Sequence, residues 1–231
     1  MDLRPRRFVF EYTQAAIVAV IIALFVRTFL VQPFKIPSPS MEDALLVGDH
    51  VLVNKFALAP QTLAVERLFL PLAPVRRGDV VVFRPPHDPD QDYIKRVIGL
   101  PGETIKIVNR VVYVRAPGQE GYTPLVEPYS NHRNPGGVPE LDTLEPVTLP
   151  GHHYFVMGDN RDDSFDSREW GPVPRSSIKG RGLLIYWSFQ GIDSDGARAA
   201  GREPTGARRL WDGATAIFRG TRWGRSGRLI R

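Results

Sequence analysis

Two hydroxyls stand two residues apart in an otherwise apolar, proline-rich stretch, Ile36-Pro37-Ser38-Pro39-Ser40-Met41. Each proline fixes its own φ and pushes the preceding residue out of the helical region, so Ile36 and Ser38 are expected to be extended. Residues two apart in an extended chain point to the same side, which would place the Ser38 and Ser40 hydroxyls together, one a nucleophile and the other a hydrogen-bond donor. Taken alone, the stretch also reads as a proline-rich linker. A base for such a serine is available at Lys95, inside the apolar run Tyr93-Ile94-Lys95-Arg96-Val97-Ile98. Strand alternation sets Lys95 between Tyr93 and Val97. Burial there disfavours the ammonium form, and a neutral amine can take a proton from a serine. A solvent-facing lysine on an edge strand is the plainer reading of the same pattern.

Arg96 points the opposite way and needs an anion if it is buried. Asp159, Asp162, Asp163 and Asp166 lie in the polar run Gly158 to Trp170, where Asp166 and Arg168 are also spaced to pair, and Ser164 could orient a lysine amine. That run lacks the spacing and late glutamate of an EF-hand loop, so ion pairs and turns fit it better than calcium. The five histidines form no ligand pattern, and no glycine-rich phosphate loop is present, so neither a metal nor another cofactor is expected. With no cysteine, disulfides and thiolate sites are excluded.

What positions these residues is a set of short strands. The 231 residues, 42% hydrophobic, can form a real core, and 21 glycines with 21 prolines favour many turns over long helices. Strands are expected at Val51 to Val53, Asp79 to Arg84, Tyr93 to Ile98, His153 to Met157 and Leu183 to Phe189. A hairpin is expected between Thr104–Val108 and Val111–Arg115 about Asn109-Arg110. With no helices alternating between them, the fold class is mostly β: an antiparallel domain of short strands at 32–115 and 147–189, with a smaller inserted subdomain at 116–146. Residues 57–77 show no clear periodicity.

Before the domain, Arg4, Arg6 and Arg7 precede an apolar run from Ala15 to Val26 that resumes at Phe29. Residues 13–31 would span about 28 Å as a helix, close to the hydrocarbon thickness of a bilayer. The expectation is a cytoplasmic N-terminus (1–12), a single transmembrane helix (13–31) and a domain on the far side, by the positive-inside rule. Residues 190–231 form a basic tail with nine arginines against four acids. Residues 190–210 look like a flexible linker, and beyond them Trp211, Phe218 and Trp223 suit a membrane surface or packing on the domain, and no nucleic acid is expected as a partner.

Taken together and in order, IPSPSM, LLVGD, RGDVVVFRPP, YIKRVIGLPGE and MGDNRDDSFDSREWGPVP resemble the bacterial type I signal peptidases, membrane proteases of the Ser–Lys type. The resemblance implies Ser40 as nucleophile, Lys95 as general base, a Ser38 hydroxyl in the oxyanion hole and Ser164 orienting the lysine. It further implies Arg96–Asp159 and Asp166–Arg168 as bracing ion pairs, and substrate pockets lined by Ile36, Met41, Leu45, Tyr93 and Ile94. The implied partners are secretory preproteins, cut after small residues, together with the bilayer of the cell membrane and the translocation machinery. The chain departs from the family pattern in having Pro39 where glycine is usual between the serines, and Asp43-Ala44 where Pro-Thr is usual. Were Glu42 and Asp43 to approach Lys95, they would favour its ammonium form. The competing possibilities are a self-cleaving repressor-type peptidase and a catalytically impaired anchored β domain that binds exported peptides.

Overall fold

The computed structural model describes residues 4–27, 31–55, 74–134, 136–190, 215 and 218–230, with side chains from Phe10 onward. The stretch 57–73, most of the expected 190–210 linker, and Trp211 lie outside the described residues. The architecture is two antiparallel sheets, preceded by one helix.

Helix α1 runs Arg4–Phe25, and its side chains from Phe10 to Phe25 are all exposed. Among the described residues no helix is long and apolar enough to cross a membrane. The expected span 13–31 is not one helix to its end, because Val31 already belongs to strand β1, Val31–Lys35. Pro33 explains the change: it holds Gln32 extended and is tolerated because β1 is an edge strand.

The larger sheet has the order β1-β2-β11-β3-β4-β9-β10, with β12 added to β11. Its members are β2 Asp49–Asn54, β3 Val80–Phe83, β4 Tyr93–Gly99, β9 His153–Met157, β10 Val173–Pro174, β11 Ile178–Ser188 and β12 Arg228–Leu229. Strand β4 is flanked on both edges, by β3 (Val81 opposite Lys95) and β9 (Met157 opposite Arg96). Every residue from Ile94 to Gly99 is buried, so Lys95 and Arg96 enter the interior on a central strand. Its apolar neighbours fall into three core clusters: Ile94 packs with Ile36, Met41, Leu45 and Val80, Val97 with Val81 and Phe83, and Ile98 with Phe155 and Met157.

The smaller sheet has the order β7-β6-β5-β8, from β5 Thr104–Val108, β6 Val111–Arg115, β7 Thr123–Pro124 and β8 Leu144–Thr148. It begins at Thr104 and contains the Thr104–Val108/Val111–Arg115 hairpin expected from the sequence. Asn109 and Arg110 both take positive φ, 49° and 72°, the two-residue hairpin turn expected there.

Residues 218–230 of the C-terminal segment are not a free tail. Thr221 pairs with Phe189, β12 lies on β11, and the segment packs on the domain.

Candidate active site

The chain leaves β1 at Lys35 and is fixed beside the start of β2. Ile36 N–H donates to the Asp49 carbonyl at 2.8 Å, and Gly48 N–H donates to the Ile36 carbonyl at 3.0 Å. Ser38 is extended, with φ −127° and ψ 156°, as the prolines dictate. Extension stops there, because Pro39–Met41 closes a single 3-10 turn. Pro39 suits the first position of that turn, where its ring presets φ and its missing N–H has no intrahelical partner to lose. The turn still brings the two hydroxyls together, with Ser38 Oγ and Ser40 Oγ 3.3 Å apart. Met41 and Leu45, fully buried, anchor the turn in the core, while Ser40 is 7% exposed.

Lys95 is 4% exposed and donates from Nζ to Ser164 Oγ at 3.0 Å. The Ser164 hydroxyl donates in turn to Asp166 Oδ2 at 2.7 Å, which leaves its lone pairs facing the lysine. Asp166 also accepts from Gly158 N–H at 3.0 Å and from Arg168 Nε and Nη2 at 2.9 Å each. Burial alone would raise the Asp166 carboxyl, but these donors, Arg168 foremost, hold it below the usual carboxylate range. Burial lowers the Lys95 amine from 10.5 to about 8; Asp166 opposes the drop, and Arg168 adds to it.

On the opposite face of β4, Arg96 grips Asp159 with two bonds of 2.7 Å, donates to the Gly78 carbonyl at 2.7 Å and lies 4.2 Å over the Tyr129 ring. Burial pushes the Asp159 carboxyl up, and the Arg96 bonds pull against it. Both expected ion pairs are formed. Asp162 accepts from Asn134 N–H and lies 3.5 Å from His132, so three of the four loop aspartates are committed to cations and donors within the protein.

Ser40 and Lys95 line one cleft of about 310 Å³, walled by Pro37 to Pro39 on one side and by Tyr93 and Ile94 on the other. Within that cleft Ser40 is paired with Ser38 and Lys95 with Ser164. Of the five residues assigned to substrate pockets, Tyr93 and Ile94 reach the cleft wall, whereas Ile36, Met41 and Leu45 lie in the core cluster behind it. Sequence reasoning missed Phe165 and offered Asp163 only as an anion for Arg96; both line the cleft. It also missed Arg133, which binds Glu42 at 2.7 Å and Asp43 at 3.1 Å. Those two acids therefore face Arg133, and neither is among the largest charges acting on Lys95. No signal in the sequence links positions 90 residues apart.

The arrangement supplies a buried hydroxyl, an amine lowered by burial to about 8, and a second hydroxyl beside the first. Residues 9–187 match the family model described as "Signal peptidase, peptidase S26". A signal peptidase I of Pseudomonas aeruginosa is 37% identical over 206 residues, covering 78% of this chain and 72% of that protein. A probable signal peptidase I-1 of Synechocystis is 36% identical over 191 residues, covering 79% and 85%. The signal peptidase I of Aquifex aeolicus is 33% identical over 218 residues, covering 73% and 80%. A serine endopeptidase with this site and this match, the chain belongs to the signal peptidase family, peptidase S26.

Proposed function

We propose that the protein removes signal peptides from exported preproteins through a Ser40–Lys95 dyad. The observation that carries this reading is Lys95, an amine brought down to about 8 by burial and set in the same cleft as Ser40. Ser40 Oγ attacks the scissile carbonyl as Lys95 Nζ takes its proton. Lys95 then returns that proton to the leaving amine, and the acyl-enzyme is hydrolysed by water that the same amine deprotonates. Ser38 Oγ and the Ser40 backbone N–H donate to the oxyanion, a role in which one donor contributes about 3–4 kcal/mol. The hydrogen bond from Ser164 to Asp166 makes Ser164 an acceptor toward Lys95, which orients the amine.

The substrate lies extended along the cleft, where the closely set Tyr93 and Ile94 suit small side chains such as those of an Ala-x-Ala site. The apolar N-terminal segment serves as the anchor, with the N-terminus cytoplasmic and the β domain on the outer side of the cell membrane, near the translocation machinery. Three features support this. The run from Ala15 to Val26 is apolar all round, arginines precede it, and its side chains are exposed.

The test is cleavage of a precursor with an Ala-x-Ala site by the full chain in detergent, comparing wild type with Ser40→Ala and Lys95→Ala. Both variants are expected to fold and to lose cleavage. Substantial activity in Lys95→Ala would remove the lysine as base, and binding without cleavage by the wild type would leave a peptide-binding domain.

A further inference from the structure

Residues 127–134 lie outside the larger sheet, yet they touch both halves of the cleft. Toward the lysine side, Asn131 N–H donates to the Asp159 carbonyl at 2.8 Å, and Arg161 N–H donates back to the Asn131 carbonyl at 2.9 Å. Asn134 N–H donates to the Asp162 carboxylate at 2.6 Å, and the Arg161 guanidinium donates to Glu127. Toward the serine side, Arg133 donates from Nη1 to Glu42 at 2.7 Å and from Nη2 to Asp43 at 3.1 Å, and the Asn131 amide donates to Asp43. Glu42 and Asp43 directly follow Ser40-Met41, and Asp43 sits at a positive φ of 86°, which no proline could adopt.

Without this strap, the hydrogen bonds between the serine turn and the 159–166 loop among the described residues come from Asn160, whose N–H donates to the Ser40 carbonyl at 3.1 Å and whose side chain donates to the Pro39 carbonyl at 3.4 Å. We propose that Arg133 is a positioning residue for peptide cleavage, holding the turn that carries Ser40 at a fixed distance from the loop that orients Lys95. The assignment rests on the dyad reading above. One guanidinium pairs with both acids of the turn. Arg133 contacts nothing that reacts, and its side chain is 45% exposed, so its loss unfolds little.

The experiment uses the full chain in detergent with the Ala-x-Ala precursor, comparing wild type, Arg133→Ala and Arg133→Lys for kcat, KM and Tm. Misplacing a nucleophile by a fraction of an ångström predicts a kcat about tenfold lower in Arg133→Ala, with KM within about twofold and Tm nearly unchanged. Arg133→Lys, which keeps the charge, should recover most of the rate. Equal kcat in wild type and Arg133→Ala overturns the proposal, and so does a rate loss that follows a falling Tm in both variants. Cleavage that survives Ser40→Ala or Lys95→Ala overturns the dyad reading itself, an outcome separable from either of these.

Discussion

In the proposed dyad Lys95 is the base, and its burial on β4 is what lowers its pKa. The flanking Tyr93 and Val97 made a poorly solvated lysine legible in the sequence, since burial follows from the apolar pattern of one strand. The partner that orients the amine was legible only as a possibility, because Ser164 is 69 residues away and nothing local fixes that distance. With the amine lowered to about 8, the neutral base accumulates as pH rises through that value. The rate of precursor cleavage should therefore climb about tenfold per pH unit below pH 8 and level off above it. Replacing Asp166, the largest charge opposing that drop, with asparagine should move the midpoint of the pH–rate curve to lower pH. A midpoint near the free-lysine value in the wild type would contradict a buried base.

Elements set what single residues cannot. The apolar-rich strands β3, β4 and β9 could be placed from the sequence to within a residue or two, as could the β5–β6 hairpin. Strand β1 could not, because its Val31 continues the apolar segment before it and Pro33 argues against a strand. The small strands β7 and β8 hide in a polar, proline-rich stretch, since their pairing comes from the neighbouring hairpin and not from their own pattern. The connection between β9 and the polar loop is the most tightly packed point of the site. A Cβ at Gly158 would fall well inside van der Waals distance of Ser164 Oγ and of the Ser40 carbonyl, one on each side of the cleft. Gly158→Ala should thus push the two halves apart and lower kcat by about 10²-fold, with a smaller loss of stability, measured by cleavage rate and by denaturant midpoint together. Arg96 acts at the same scale by holding the loop from behind. Arg96→Met would strand Asp159 in the interior at a cost of about 3–5 kcal/mol, seen as a lower unfolding free energy in urea.

At the scale of the whole molecule, the chain closes on itself around Asp49. This carboxylate is fully buried and accepts from Ser188 Oγ at 2.5 Å, from Leu46 N–H at 2.9 Å, and from Arg222 and Arg225 at 3.2 and 2.6 Å. The same two arginines donate to the carbonyls of Val47 and Ala44, so the C-terminal segment clamps the stretch between the Ser40 turn and β2. In the sequence these arginines look like any others in a basic tail, because only their distance from Asp49 in the fold distinguishes them. Burial raises the Asp49 carboxyl, but the bonds from Arg225, Ser188 and Leu46 outweigh it and leave the pKa below 3.8. A depressed carboxyl adds stability above its unfolded value, and that stability is lost as pH falls through the folded one, so the clamp should loosen only in acid. Arg225→Ala leaves Arg222 and Ser188 in place and should lower the unfolding free energy by about 2 kcal/mol, less than for a buried charge stripped of every partner. Adding Asp49→Asn to Arg225→Ala tests the cause. Removing the stranded charge should recover part of the loss at neutral pH, whereas a further loss of equal size would mean that Arg225 acts through its bond to Ala44 alone.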